Sequence, residues 1–307
     1  MQASDTAREV EGGPARPRRR ASKAPTAIAA CAALLLAPLA SAQAATGRVV
    51  VRSGGVSRSA ILIQQRRLKQ ALRPLVVILR ASGRERGPRQ RRLFGLDEMR
   101  RWAGATLVYP DPAGGRWAAD GAQAEQDAAF IRDLVARIVA DGMVDRRRIV
   151  VLGIADGAGP AFRVACGDPS PFAAVAAAGS VPSSLPAACK PPGPLPFMLV
   201  APPEPGAGAE TPETAPAEAV VAVFARAAHC GAGRATTAIP DRDPRDGLRA
   251  WLDRLDGCSV PVELARVEVD KSAPGKPKPG EAPRPGAQAA DVVGSKTILD
   301  FFRRAAR

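Results

Sequence analysis

Histidine is almost missing from this chain, with one residue, His229, in 307. A histidine-rich metal site is therefore excluded, and a histidine-based catalytic triad has a single candidate base. Aromatic residues make up only 4% of the chain. None interleaves with its local arginine cluster, Arg84 to Arg92, so no series of rings stands there to stack on bases, and nucleic acid is not an expected partner. No two cysteines form a C-x-x-C pair, which removes the commonest zinc-binding pattern. No metal or other cofactor is implied. Beyond the N-terminal stretch, no apolar run is long enough to span a bilayer. There is no obvious internal repeat.

What is present begins with a targeting signal. Arg16, Arg18, Arg19, Arg20 and Lys23 form a positive region, and Ala27 to Ala40 is an apolar stretch. Ala42-Gln43-Ala44 then offers small residues at the two positions a signal peptidase reads. Residues 1–44 read as a signal peptide cleaved before Ala45, and the product is expected in the periplasm or outside the cell. A membrane anchor is the weaker reading, because the stretch is short and broken by Pro38. Residues 45–307 read as one domain, and a hydrophobic content of 46% is enough for a core.

The formal charge is +14, from 44 basic and 30 acidic residues. Six basic and three acidic residues lie in positions 1–44, so positions 45–307 carry 38 and 27, a balance of +11. The arginines are scattered, which favours diffuse attraction to an anionic surface over a defined binding stripe. Cys31 falls in the signal. Cys166, Cys189, Cys230 and Cys258 remain, and an even number in an exported chain reads as disulfides. Three pairings are possible; the sequential one, Cys166–Cys189 and Cys230–Cys258, closes the two shortest loops and is the expected one.

Apolar runs alternate with helical patterns, which predicts an α/β fold with a mostly parallel sheet and flanking helices. Val49 to Arg52 and Ala60 to Ile63 read as an antiparallel hairpin around Ser53-Gly54-Gly55. Leu75 to Leu79, Thr106 to Tyr109, Ile149 to Leu152 and Phe197 to Val200 read as buried strands. Val262 to Val269 reads as a fifth strand, more exposed than the others. Helices are expected over Asp127 to Ala140, Pro160 to Cys166, Ala217 to His229 and Ile298 to Ala306. Residues 202–216 and 271–290 are rich in Pro and Gly and read as mobile loops within the domain.

Several blocks occur in a telling order. They are Arg73 to Leu79; Leu107-Val108-Tyr109-Pro110-Asp111 followed by Trp117; Asp127 with Phe130-Ile131; and Val144-Asp145-Arg146-Arg147-Arg148-Ile149. Cys166, Phe172 to Ala176, Gly179 and Cys189 follow, then Gly257-Cys258 and Phe301-Phe302. From Arg73 to Phe302 the chain resembles the secreted polyhydroxybutyrate depolymerase and feruloyl esterase family of α/β-hydrolases. The resemblance implies an α/β-hydrolase fold, carboxylic-ester hydrolysis by a serine nucleophile, a histidine base and an aspartate, and a polyester or aromatic ester as ligand.

The residues that would do this chemistry are replaced. The family's serine stands in a G-x-S-x-G turn between strand and helix. Here that turn reads Gly153-Ile154-Ala155-Asp156-Gly157, with a methyl group at the nucleophile position. Lys271 stands at the histidine position and Glu204 nearest the aspartate position. The His-Gly of the oxyanion loop has become Arg80-Ala81. Asp156 as nucleophile would shift the turn by one residue and put Ile154 where a small residue is needed. Ser57, in Gly55-Val56-Ser57-Arg58-Ser59, only superficially resembles an elbow because no helix follows it. His229 matches no catalytic position and reads as a helix-end or surface residue. The expected function is a catalytically inactive relative that binds or scaffolds through the former cleft. The alternative is an active ester hydrolase in which Asp156, Glu204 and Lys271 converge on one pocket.

Overall fold

A computed structural model of the protein describes residues 44–65, 72–80, 96–203, 214–241, 247–269 and 289–306. The expected signal peptide, the arginine cluster at 84–92 and most of the two Pro/Gly-rich loops lie outside the described residues.

The described part opens with a hairpin of β1 (Ala44–Ser53) and β2 (Val56–Gln65). Gly54 and Gly55 join them with φ of 55° and 82°, the left-handed pair that a tight two-residue hairpin turn requires. Next come β3 (Arg73–Leu79), α1 (Leu96–Arg101), β4 (Thr106–Pro110), α2 (Gly121–Ala140) and β5 (Val144–Ile154). Then follow α3 (Ala158–Cys166), β6 (Ala174–Ala178), α4 (Ser184–Ala188), β7 (Phe197–Ala201) and α5 (Ala217–Ala227). The chain ends with β8 (Arg234–Ile239), β9 (Leu248–Leu255), β10 (Val262–Val269) and α6 (Ala289–Ala305).

The ten strands among the described residues join one sheet in the order β1-β2-β4-β3-β5-β6-β7-β10-β9-β8. Its centre, from β4 to β10, is parallel, and an antiparallel pair closes each edge. The expected α/β fold and N-terminal hairpin are therefore present. The hairpin at the other edge was not expected. The fifth expected strand, β10, is the more exposed one, as expected, and the exposure is confined to its end. Val262 to Ala265 and Val267 are buried, and only Glu268 and Val269 are open. Helices α5 and α6 pack on β10, while β9 covers its outer edge.

Helices cover both faces of the sheet, so its central strands are apolar on both sides. Helix α2 starts before the expected Asp127, and it buries Phe130, Ile131, Leu134, Val135 and Ile138 at helical spacing. On that face Phe197 stacks on Phe224 with centroids 3.9 Å apart, and Phe162 meets them edge-on. On the other face Met99, Trp102, Leu299, Phe301 and Phe302 fill the core.

Two buried carboxylates tie distant segments together. Asp127 accepts from Arg58 Nη1 at 2.7 Å, from the Ala118 N–H at 3.1 Å and from Gln123 Nε2 at 3.2 Å. The Arg58 guanidinium lies 4.1 Å from the Phe130 ring centroid, so both its charge and its flat face are satisfied. Asp253 accepts from Thr236 Oγ1 at 2.6 Å and from Arg266 Nε at 2.7 Å, joining β8, β9 and β10. Burial pushes the Asp253 pKa up, but hydrogen bonds from Arg266 and Thr236 and the charges of Arg266 and Arg234 outweigh it and hold the pKa below the ordinary value.

The disulfides are Cys166–Cys189 and Cys230–Cys258, the sequential pairing. The first ties the end of α3 to the end of α4. The second ties the turn after α5 to the turn after β9. Loops of 23 and 28 residues each give about 3–4 kcal/mol by the chain-entropy argument.

Candidate active-site elbow

β5 ends at Ile154, a single 3-10 turn runs through Ala155–Gly157, and α3 starts at Ala158. The reversal is sharp because Ala155 adopts φ of 54°, a left-handed conformation that costs an L-residue about 1–2 kcal/mol. Such a turn lifts the Ala155 side chain out of the strand and starts a helix at once.

The flanking residues explain how the turn is accommodated. A Cβ on Gly153 would fall on the Gly157 carbonyl and lie 2.7 Å from Ala161 Cβ. One on Gly157 would fall on the Leu79 carbonyl at the end of β3. One on Gly179, which follows β6, would lie 2.7 Å from the Ala155 carbonyl oxygen. The ends of three neighbouring strands thus close on the elbow with no space for side chains. The strained turn is still built although its apex carries only a methyl group.

Ala155 is half-buried and Asp156 is exposed. The left-handed residue is Ala155 and not Asp156, so an aspartate apex would need a different turn. Arg80 directly follows β3. Its guanidinium lies 5.1 Å from the Tyr109 ring centroid, and its carbonyl accepts from Trp117 Nε1 at 3.0 Å. Tyr109 and Trp117 were visible in the sequence as parts of blocks, but nothing there showed that both hold Arg80.

Ala81, Glu204 and Lys271 lie outside the described residues, so a convergence of Asp156, Glu204 and Lys271 is not among the described contacts. The strands that precede the latter two in the chain, β7 and β10, run parallel to β5. Their carboxyl ends, Ala201 and Val269, therefore lie at the same edge of the sheet as the elbow. Ser57 is exposed within β2 and stands on no turn. His229 is exposed just after α5, with φ of 54°, and its N–H donates to the Arg226 carbonyl.

A groove of about 330 Å³ lies between α4 and α5, walled by Pro186, Ala187, Ala219, Ala222 and Val223 and ending at Arg226. Ala155 does not line it. Sequence reasoning missed it because α4 is too short to show a periodic face. Among the described residues, no group of three or more His, Cys, Asp or Glu side chains is placed to hold a metal ion. Among them, too, no helix is long and apolar enough to cross a membrane.

No protein-family model matches the chain. The chain is similar to NocK of Nocardia uniformis subsp. tsuyamanensis, a protein named as an esterase, with 30% identity over 135 residues. That match spans 42% of this chain and only 39% of NocK. Among solved structures, a thermostable esterase superposes with a TM-score of 0.54 at 14% identity, covering 85% of this chain and 63% of that one. At that identity the likeness is one of fold. Together with the sheet order and the elbow, it makes the architecture that of an α/β-hydrolase.

Proposed function

We propose that this chain is an exported member of the polyhydroxybutyrate depolymerase and feruloyl esterase group that no longer hydrolyses esters. It serves as a binding or scaffold protein in the periplasm or outside the cell, with a polyester or aromatic ester as the class of ligand for which the elbow was built. One observation carries the reading: the apex of an intact, strained elbow is Ala155. A methyl group has no lone pair to attack a carbonyl and no proton to give to a base. The two disulfides support an oxidising compartment. The partial likeness to NocK supports an esterase ancestry.

Losing the nucleophile alone leaves room for weak catalysis, because an oxyanion hole and binding can still accelerate hydrolysis by about 10³–10⁴. Here the loop that would supply part of that hole begins Arg80-Ala81 instead of His-Gly, which lowers the expectation further. The left-handed φ at Ala155 argues against Asp156 as a substitute nucleophile.

The test compares the wild type with an Ala155→Ser, Lys271→His double variant on short-chain p-nitrophenyl esters. The wild type should stay at the buffer rate and the double variant should rise above it. Wild-type turnover that a fluorophosphonate abolishes would overturn the reading.

A further inference from the structure

Among the described residues, five large apolar side chains are exposed, and two of them are neighbours: Leu72 at 55% and Met143 at 43%. Leu72 precedes β3, and Met143 precedes β5, the strand beside it. The Arg73 N–H donates to the Met143 carbonyl at 3.2 Å, which brings the two together. A lone exposed apolar residue needs no explanation, whereas a pair set among cations is a candidate contact surface.

The cations come from a break in the sheet. β3 advances two residues, from Arg73 to Leu75, while β5 advances five, from Val144 to Ile149. Three extra residues of β5 are therefore thrown out of the ladder, as in an enlarged β-bulge. They belong to Asp145-Arg146-Arg147-Arg148. Buried Asp145 ties the bulge at its base, accepting from the Arg147 N–H at 3.0 Å and from Arg148 Nε at 2.8 Å. Arg148 Nη2 donates to the Leu72 carbonyl at 3.0 Å, which joins the bulge to the apolar pair. Arg146 is exposed, and the Arg147 side chain is 84% open despite its long contact with Asp145. Residues 137–148 hold four arginines and two aspartates. Both aspartates are already paired, Asp141 with Arg137 and Asp145 with Arg147 and Arg148, so the surplus charge is positive.

We propose that this face, formed by Leu72, Met143 and the bulge at 146–148, docks on the surface of a bilayer that carries anionic lipids. The net charge of +14 draws the protein towards any anionic surface, and the bulge with its apolar pair decides which side arrives. Guanidinium groups donate to headgroup phosphate oxygens while their alkyl stems lie along the apolar boundary. Leu72 and Met143 enter that boundary. A soluble polyanion has no such layer and would use the arginines alone. β5 starts at this edge of the sheet and ends at the elbow, so docking here leaves Ala155 at the far edge. The inference holds whether or not the elbow hydrolyses esters.

The experiment follows peroxide oxidation of the purified protein by mass spectrometry. It is run alone, with vesicles of saturated phosphatidylcholine, and with vesicles of equal parts saturated phosphatidylglycerol and phosphatidylcholine. Met143 is an exposed thioether while Met99 and Met198 are fully buried, so its sulfoxide reports on this face. The anionic vesicles should slow Met143 oxidation by about fivefold or more, and the neutral ones should not. In co-sedimentation with the anionic vesicles, Arg146→Gln, Arg147→Gln should lose about tenfold or more of the affinity. Leu72→Ser, Met143→Ser should lose about fivefold or more. Arg52→Gln, Arg116→Gln removes the same charge from exposed positions elsewhere and should lose less than about threefold. Raised NaCl should weaken wild-type binding. Unprotected Met143, an equal loss in the control, or wild-type affinity in either folded patch variant would overturn the inference. So would retention on heparin without vesicle binding, the mark of a soluble polyanion as partner. The Met143 readout is taken on the wild type and stands even if a variant fails to fold.

Discussion

Replacing Gly157 by alanine sets two physical effects against each other. Gly157 has φ of −73° and ψ of −12°, an ordinary helical backbone at the head of α3. An L side chain pays no dihedral penalty there, and helix propensity alone would favour alanine by up to about 1 kcal/mol. Sterics point the other way. The new Cβ would fall on the Leu79 carbonyl oxygen and lie 2.6 Å from its carbonyl carbon and 3.1 Å from Leu79 Cβ. The obstructing carbonyl ends a fully buried strand and lies level with Gly153 on the neighbouring β5, so it cannot swing away freely. Overpacking costs about 1–3 kcal/mol, and immovable backbone puts this case at the upper end. The steric effect wins, and Gly157→Ala should lose about 1–2 kcal/mol net. Urea denaturation followed by circular dichroism measures it. Gly193→Ala is the control, because its Cβ would meet nothing within 4 Å. A Gly157→Ala variant as stable as the wild type would refute the elbow packing described above.

Other consequences are equally open to measurement. Ala155→Gly should raise stability by about 0.5–1 kcal/mol, because relief of the left-handed strain exceeds glycine's extra unfolded-state entropy; a loss on urea denaturation would mean the apex is elsewhere. Asp127→Ala should cost about 3–5 kcal/mol, because it strands the buried Arg58 guanidinium. Exposed Asp133→Ala should stay within about 0.5 kcal/mol in the same assay. Asp253 has a folded pKa below its ordinary value, so the stability it gives is present above the unfolded pKa and lost as pH falls through the folded one. The wild type's advantage over Asp253→Asn should therefore be complete at pH 7 and shrink only below about pH 4; an advantage already fading near neutrality would contradict the sign of the shift.

The readable parts of the chain are those where one physical requirement dominates. Leu75–Leu79 of β3, β4, Ile149–Ile154 of β5 and β7 are apolar runs because helices cover both faces, and burial leaves them little choice. The elbow is legible for a steric reason: Gly153 and Gly157 stand where backbone carbonyls would meet a Cβ. β6 was harder to see. Ala174 to Ala178 is alanine-rich and has weak strand preference, and only its place between β5 and β7 makes it a strand. β8 and β9 were missed because Arg234, Thr236 and Asp253 interrupt any apolar pattern, yet those polar groups satisfy one another across the sheet. The Arg58–Asp127 pair spans 69 positions, a separation that local patterns do not register. The same holds for Arg80: its position was legible, whereas its seat on Tyr109 depends on the register of neighbouring strands.

The central claim is that an intact elbow presents no nucleophile. Intact-mass spectrometry of the purified protein after treatment with a fluorophosphonate tests it most directly, with the Ala155→Ser, Lys271→His double variant treated in parallel. The wild-type mass should stay unchanged, while the double variant should gain a single adduct. A stoichiometric adduct on a serine of the wild type would contradict the claim.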